Sequence, residues 1–264
     1  MACNRPFTIQ HGPEKYLVPC GWCRQCRIDR REEWTMRITS EIAKNGGAFI
    51  TLTYNDENLP RELQKRHLQT FFKKFREITQ KKIKYYAVGE YGEIGGQTNK
   101  YNNGLGRPHY HAIISGISPI KEKAAIEQAW GKGYIQTGGA THASIRYVLK
   151  YVEKQIVGRK QKEAYNGLEP PFCIMSKGIG REWLEQNIEQ VEENEGIYYR
   201  GKIMPVPRYY KKISGIKGYQ EQTRKREKIL ETMEQKHMDQ EQARNYLGQM
   251  QENELIAKEN LYGK

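Results

Sequence analysis

Segments of strand-like and helix-like composition follow one another in a definite order between residues 48 and 157. The β-rich run AFITLTYND comes first, and an amphipathic stretch with apolar side chains near helical spacing (residues 61–80) follows it. Two more strand-like runs, KIKYYAVGEYGE and RPHYHAIIS, are separated by a Gly- and Asn-rich loop and predict a hairpin. A helix from Ser118, the short strand GYIQTG and a helix opened by Thr141 complete the series.

This order predicts the fold class. Strand, helix, strand, strand, helix, strand is the split βαβ pattern of a ferredoxin-like sandwich, an α+β fold with one antiparallel sheet and helices against one face. A further helix is predicted over residues 32–44, ahead of the first strand. The predicted organisation is a Cys-rich cap over residues 1–30, a main domain with a C-terminal extension over 31–216, and a charged helical tail over 217–264.

The charge of the chain indicates a polyanionic partner. Lys and Arg outnumber Asp and Glu by 44 to 31. From Lys217 to Lys264 there are nine basic and nine acidic residues, so the whole excess lies before position 217. The 18 tyrosines add aromatic faces on which unpaired bases stack, although tyrosines also serve ordinary cores and a basic surface also serves solubility.

The sequence predicts neither membrane insertion nor export. No apolar run approaches the roughly 20 residues that span a bilayer. The first residues, MACNRPFTIQHG, lack the apolar core of a signal peptide. A cytosolic location is therefore expected.

Two histidines in the segment GRPHYHAII suggest a metal site. Residues two apart on a strand point to the same side, so His109 and His111 share one face while Tyr110 faces the other. Two imidazoles on one face chelate a metal ion in many proteins, but the same alternation also occurs in purely structural strands. The neighbouring segment VGEYGE decides between these interpretations.

A carboxylate is expected opposite the histidines. Glu90 and Glu93 lie on the other strand of the predicted hairpin, and antiparallel pairing brings one of them across from the imidazoles. Glu90 is the better candidate because it lies within the strand, whereas Glu93 lies where the loop begins. One carboxylate and two imidazoles leave open positions on a divalent ion, which then acts as a Lewis acid on a phosphate oxygen.

Two tyrosines on the last predicted helix are candidate nucleophiles. Tyr147 and Tyr151 are four residues apart, hence on one helical face, with Lys150 and Lys154 interleaved. The ordinary pKa of a tyrosine hydroxyl is about 10, so attack near neutral pH needs a neighbouring cation or a metal-bound phosphate. The alternative is that both rings simply pack on the sheet.

Four of the five cysteines lie close together in sequence. Cys20, Cys23 and Cys26 form CxxCxxC, with Cys3 upstream. In a cytosolic chain this spacing favours metal over disulfides, and four thiolates suit tetrahedral Zn²⁺ in a structural site. Reduced free thiols and an iron–sulfur cluster are the alternatives.

Taken together, these residues resemble the HUH endonucleases, in which two histidines flank a bulky residue and a tyrosine cleaves single-stranded DNA. The ordered segments VPCGWCRQCR, FITLTYND, VGEYGE, RPHYHAII and YVLKYVEK resemble more closely the replication initiators of gokushovirus-type microviruses, which are small single-stranded DNA phages. The resemblance covers most of residues 19–154. It implies an HUH endonuclease domain within residues 31–216.

The resemblance implies a role for each matching residue. His109 and His111 would hold Mg²⁺ or Mn²⁺ with Glu90 as the third ligand. Tyr147 and Tyr151 would be the paired nucleophiles of rolling-circle replication, and Lys154 would contact phosphate or the metal-bound hydroxyl. The implied substrate is single-stranded DNA at the replication origin, the implied partners are the host DNA polymerase and helicase, and the implied location is the cytoplasm of the bacterial host.

Three other functions remain open at this point. The chain could be a single-stranded DNA-binding protein whose histidines and tyrosines are structural, or an HUH enzyme of the relaxase or transposase kind. A zinc metalloprotein acting on small molecules fits the basic charge poorly. The sequence contains no GxxxxGK[ST] segment, so a built-in helicase is not expected.

Overall fold

The structure is a computed structural model, and the residues that it describes are 3, 5–11, 14–92, 105–154, 164–165, 167–215, 232–239, 242–243, 245–250 and 253. The strands are β1 (Phe7–His11), β2 (Glu14–Val18), β3 (Gly47–Thr53), β4 (Lys84–Tyr91), β5 (Pro108–Ser115), β6 (Ile135–Gly139), β7 (Phe172–Met175), β8 (Ile197–Tyr199) and β9 (Lys202–Met204). The helices are α1 (Arg24–Asn45), α2 (Lys65–Thr79), α3 (Lys123–Trp130), α4 (His142–Lys154), α5 (Arg181–Glu193) and α6 (Arg208–Ser214).

The chain divides into two compact units. One unit is Trp34–Gln186, and the other combines Met1–Glu33 with Asn187–Lys264. The division predicted at residues 30 and 216 stays a prediction about domains.

The first of these units is built on a five-stranded antiparallel sheet. Its strand order is β6-β3-β5-β4-β7. All the elements predicted between residues 48 and 157 occur in the predicted order, and the first four strands have the arrangement of a split βαβ unit. Strand β7, which extends the sheet beyond β4, was not predicted because its four residues carry little alternation.

Helices cover both faces of the sheet, so the prediction that they pack on one face was wrong. Helices α2 and α3 bury Phe71, Phe75 and Trp130 against one face. On the other face, α4 buries Leu149 and α1 contributes Ile38. The physical reason is visible in β5, where residues 110–115 are all buried, as expected when both faces are covered.

The predicted start of α3 was also wrong. The helix begins at Lys123 rather than near Ser118. The carboxylate of Glu122 accepts the backbone N–H of Ser118 at 2.6 Å and the ammonium of Lys81 at 2.6 Å. These bonds stabilise a turn over residues 119–122 ahead of the helix.

The second unit contains two hairpins, β1-β2 and β8-β9, together with α6. Residues 1–26 were predicted to be loop-rich, but the chain pairs Phe7 with Val18 in the first hairpin and enters α1 at Arg24. In the predicted tail, residues 232–236 and 245–250 are helical. Among the described residues of the chain, no helix combines the length and the apolar character that crossing a membrane requires.

Candidate active site

Strand β5 presents its two histidines to one side of the sheet and Tyr110 to the other. Tyr110 is fully buried in the core beneath α2 and α3. Its hydroxyl lies 2.7 Å from the hydroxyl of Tyr54 and accepts the backbone N–H of Gln64 at 3.0 Å. Tyr110 therefore anchors the strand, and His109 and His111 emerge on the opposite face with fixed backbone positions.

Glu90 joins the two histidines across the β4-β5 pair. Its Cα stands directly opposite that of His109. One carboxylate oxygen, Oε1, lies 3.3 Å from Nε2 of His109 and 3.2 Å from Nε2 of His111. The sequence-based preference for Glu90 agrees with this geometry, while Glu93 lies outside the described residues.

The other nitrogen of each ring has a partner of its own. Nδ1 of His109 lies 3.1 Å from the carbonyl oxygen of Arg107, so this nitrogen carries the proton and donates it. Nδ1 of His111 lies 2.9 Å from the hydroxyl of Thr51. Both Nε2 atoms thus converge on Glu90, which is the arrangement seen when second partners orient the histidines of a metal site.

The electrostatics favour an ionised carboxylate between the rings. Burial would raise the pKa of Glu90, but the hydrogen bonds and positive charge of His109 and His111 outweigh it and lower the pKa to about 2. The side chain of His111 is only 7% exposed, and its ring is stacked on Phe49. Glu90, His109 and His111 therefore form a compact group whose ligand atoms all lie within 4.8 Å of one another, a spacing suited to one metal ion.

Helix α4 brings one predicted nucleophile to this group. The hydroxyl of Tyr147 lies 3.4 Å from Nε2 of His111, and the two rings meet edge to face with centroids 5.0 Å apart. Phe49 contacts the ring of Tyr147 from the other side, at 6.1 Å between centroids. With 53% of its side chain exposed, Tyr147 is accessible to a large substrate.

The other predicted nucleophile is placed differently. Tyr151 follows one turn later on α4, but it is buried and its hydroxyl donates a hydrogen bond to the carbonyl oxygen of Pro171. Burial raises the pKa of Tyr151, and the nearby Tyr165 and Cys173 raise it further. Lys154 ends the helix, and the position of its side chain lies outside what the structure describes.

The four N-terminal cysteines meet in the second unit. The Sγ atoms of Cys3, Cys20, Cys23 and Cys26 all lie within 4.8 Å of one another. The Sγ atoms of Cys3 and Cys23 are 3.8 Å apart, and none of the cysteines forms a disulfide. Backbone N–H groups point at these sulfur atoms, from Cys20 to Cys3 at 3.2 Å and from Cys23 to Cys20 at 3.3 Å.

Sequence reasoning missed the residues that hold the site in shape. Thr51 and Phe49 alternate along β3 and face His111 because Thr51 stands opposite it in the β3-β5 register. The run FITLTY showed this alternation, but the register with β5 cannot be derived from the sequence. Pro171, the partner of Tyr151, is far from α4 in the chain and gave no signal.

Comparisons with known proteins agree with this constellation. The family model for the replication-associated protein ORF2 matches residues 47–156, which include every residue of the metal-like group and both tyrosines. The chain is 30% identical over 224 residues to the replication-associated protein ORF2 of Spiroplasma virus 4, covering 73% of this chain and 66% of that protein. It is 25% identical over 223 residues to the replication-associated protein ORF4 of Chlamydia phage 1, covering 75% of this chain and 53% of that protein.

The chain thus spans between about half and two thirds of the length of these curated relatives. No solved structure matches it. Both relatives are named for replication and come from viruses of bacteria, and the matched segment is the one that carries the site. The chain belongs to the replication-associated protein ORF2 family.

Proposed function

We propose that this protein is an HUH-type replication initiator that nicks single-stranded DNA through Tyr147 beside a divalent metal held by Glu90, His109 and His111. The observation that supports it most is the 3.4 Å between the hydroxyl of Tyr147 and Nε2 of His111. A buried structural cluster would have no need of a half-exposed tyrosine hydroxyl at this point. The split βαβ order of the sheet is consistent with an HUH-type fold.

The donor set fits Mg²⁺ or Mn²⁺. It consists of one carboxylate oxygen and two imidazole nitrogens, and each imidazole is oriented by a bond at Nδ1. Such an ion, when bound, supplies Lewis-acid activation of a phosphate oxygen. Glu90 would keep its charge for this role throughout the physiological pH range, since its pKa is about 2.

Tyr147 supplies the nucleophile. Its oxygen forms a bond to the scissile phosphorus, and the bond from phosphorus to the 3′ oxygen breaks. The hydroxyl proton passes to solvent, and the departing oxygen takes up a proton to become a 3′ hydroxyl. The product is a 5′-phosphotyrosyl link, which conserves the energy of the phosphodiester for later rejoining.

Tyr151 is assigned to the second cleavage. Its hydroxyl is engaged by the carbonyl of Pro171, so the first attack belongs to Tyr147. Release of this hydrogen bond would free Tyr151 to cut the regenerated origin, after which transfer to the free 3′ hydroxyl closes a circle. Lys154, three residues further along α4, is proposed to contact the phosphate.

This chemistry is that of rolling-circle replication. The names of the relatives support a role in replication. We propose that the substrate is single-stranded DNA at the viral origin and that the host polymerase extends the 3′ hydroxyl while a host helicase separates the strands. The site of action would then be the cytoplasm of the bacterial host.

We further propose that the four N-terminal cysteines hold Zn²⁺ in a structural site. In a tetrahedral site with Zn–S bonds of about 2.3 Å, neighbouring sulfur atoms lie about 3.8 Å apart. The Sγ atoms of Cys3 and Cys23 have this separation. The N–H···S bonds from Cys20 and Cys23 would stabilise the thiolates that such a site needs.

The nicking function is tested with overlapping single-stranded oligonucleotides that cover the genome encoding this protein. Each is incubated with the full chain in the presence of Mn²⁺ or EDTA and analysed on a denaturing gel. The expected result is one oligonucleotide that is cut only with Mn²⁺ and that leaves a protein-sized adduct. Binding of the oligonucleotides with no cutting or attachment of any of them would indicate a DNA-binding protein instead.

A further inference from the structure

Tyr134 lies immediately before β6, the edge strand of the sheet, and 72% of its side chain is exposed. Tyrosines of the same unit, such as Tyr86 and Tyr110, are buried almost completely. An exposed aromatic ring at a sheet edge has lost the benefit of apolar burial, and it offers a flat face to a partner.

The backbone of Tyr134 is held firmly in spite of that exposure. Its carbonyl oxygen accepts the backbone N–H of Thr53 at 2.9 Å and the hydroxyl of Thr53 at 3.2 Å. Just before it, the carbonyl of Lys132 accepts the N–H of Asn55 at 3.0 Å. At Gly133, a Cβ atom would come within 2.3 Å of the nitrogen of Asn55, so only glycine allows the loop to lie this close to β3.

These contacts align Tyr134 with the candidate active site. Because Leu52 stands opposite Ile135, Thr53 stands opposite Tyr134, and Thr53 stands opposite His109 on its other side. Leu52 and Ile135 face the core under α2 and α3, so their neighbours Thr53 and Tyr134 face the side that carries the histidines. Two strand spacings separate the backbone of Tyr134 from that of His109, a distance of about 10 Å.

The surface between these two positions is open. Gln136, which shares this face of β6, is exposed. A Cβ atom added to Gly138 or Gly139 would meet nothing within 4 Å, so no part of the described chain covers β6 there. A polynucleotide could lie along the row that runs from His109 over Thr53 to the sheet edge.

We propose that Tyr134 is a positioning residue on which a base of single-stranded DNA stacks, one or two nucleotides away from the phosphate cleaved beside His109. The inference rests on the proposed function for the phosphate at the histidines, while stacking on Tyr134 requires no cleavage. Stacking on an aromatic side chain tolerates any base, so Tyr134 would fix the path of the strand rather than its sequence.

The experiment compares two fluorescent probes that differ only in their bases. One is a 20-nucleotide oligothymidylate, and the other is a 20-unit abasic deoxyribose-phosphate chain. The affinity of each for the full chain is measured by anisotropy without added divalent metal, so that no nuclease activity is needed. The quantity of interest is the ratio of the two affinities, because backbone contacts contribute equally to both probes.

Tyr134→Ala is expected to lower this ratio by between about five-fold and a hundred-fold, whereas Tyr134→Phe, which keeps the ring, retains it. Tyr198→Ala, at an exposed tyrosine in β8, serves as the matched control and should leave the ratio unchanged. An unchanged ratio in Tyr134→Ala would overturn the proposal, as would an equal loss in Tyr134→Phe. Both results keep their meaning whether or not the oligonucleotide cleavage test detects nicking.

Discussion

The hydroxyl of Thr51 lies 2.9 Å from Nδ1 of His111, on the strand directly next to it. This contact occupies the ring nitrogen that faces away from Glu90 and leaves Nε2 directed at the carboxylate. A single threonine on β3 therefore determines how one of the two candidate ligands is oriented.

Replacing Thr51 by Val should weaken metal binding without unfolding the chain. Valine keeps the shape and the β-branching of threonine but cannot bond Nδ1, so His111 loses its orienting partner. The expected loss of Mn²⁺ affinity, measured by calorimetry, is roughly ten-fold to a hundred-fold. Thr53→Val is the matched control, since the Thr53 hydroxyl bonds Tyr134 and not a histidine, and equal losses in both variants would refute the role of Thr51.

Replacing His109 or His111 by Ala should abolish cleavage and largely spare DNA binding. Polarisation of the phosphate by a metal is worth several kcal/mol, so cleavage should fall by at least about a thousand-fold. Binding depends on many basic contacts spread over the surface and should change little. Cleavage rates and oligonucleotide affinities are measured on the same preparations, and a parallel loss of both would argue against a metal role for the histidines.

The residue between the histidines should matter for stability rather than for chemistry. Tyr110→Phe removes a hydroxyl that contacts Tyr54 and the backbone of Gln64 in the buried core. Because those partners stay buried, the free energy of unfolding should fall by about 1–3 kcal/mol, seen as a lower urea midpoint. Tyr134→Phe, at an exposed ring, should leave the midpoint unchanged, and a Tyr110→Phe variant of wild-type stability would contradict the anchoring role of Tyr110.

The sequence was most informative where local patterns alone determine the structure. The alternation in RPHYHAII placed His109 and His111 on one face and Tyr110 on the other, and the position of Glu90 inside its strand favoured it over Glu93. The helical spacing of Tyr147 and Tyr151 was also correct, yet their environments differ. Pro171 lies opposite Tyr151 through a long-range contact that no local pattern encodes.

Long-range arrangement explains the remaining differences as well. The covering of both sheet faces depends on how α1 and α4 return to the sheet, and Ile38 and Leu149 carry no sign of which face they bury. The orienting role of Thr51 depends on the β3-β5 register, in which a shift by one residue would turn its hydroxyl into the core.

The cysteine group should contain one zinc ion per chain. Metal analysis of protein purified without chelator is expected to give about one equivalent, because four thiolates bind Zn²⁺ tightly. Cys23→Ser should lose the metal, while Cys173→Ser, at a cysteine of β7 outside the group, and His109→Ala should retain it. A wild-type chain without zinc, or a Cys23→Ser variant that keeps it, would contradict the assignment.

The two tyrosines should differ in the first cleavage. Tyr147→Phe removes the hydroxyl beside His111 and should reduce the first cut to background. Tyr151→Phe removes a hydroxyl that bonds Pro171 and should leave the first cut nearly intact while blocking the second cut and circle closure. Single-turnover cleavage of an oligonucleotide with one site separates these steps, and equal effects of the two substitutions would exclude the assigned order.

The most direct test of the central claim is to locate the covalent DNA adduct on the chain. After incubation with a cleavable oligonucleotide and Mn²⁺, the DNA is trimmed with nuclease and the protein is digested with trypsin. Cleavage after Arg146, Lys150 and Lys154 separates the peptides YVLK and YVEK, so mass spectrometry distinguishes Tyr147 from Tyr151. We expect the nucleotide on YVLK; an adduct confined to YVEK, or none on either peptide, would contradict attack by Tyr147 beside the histidines.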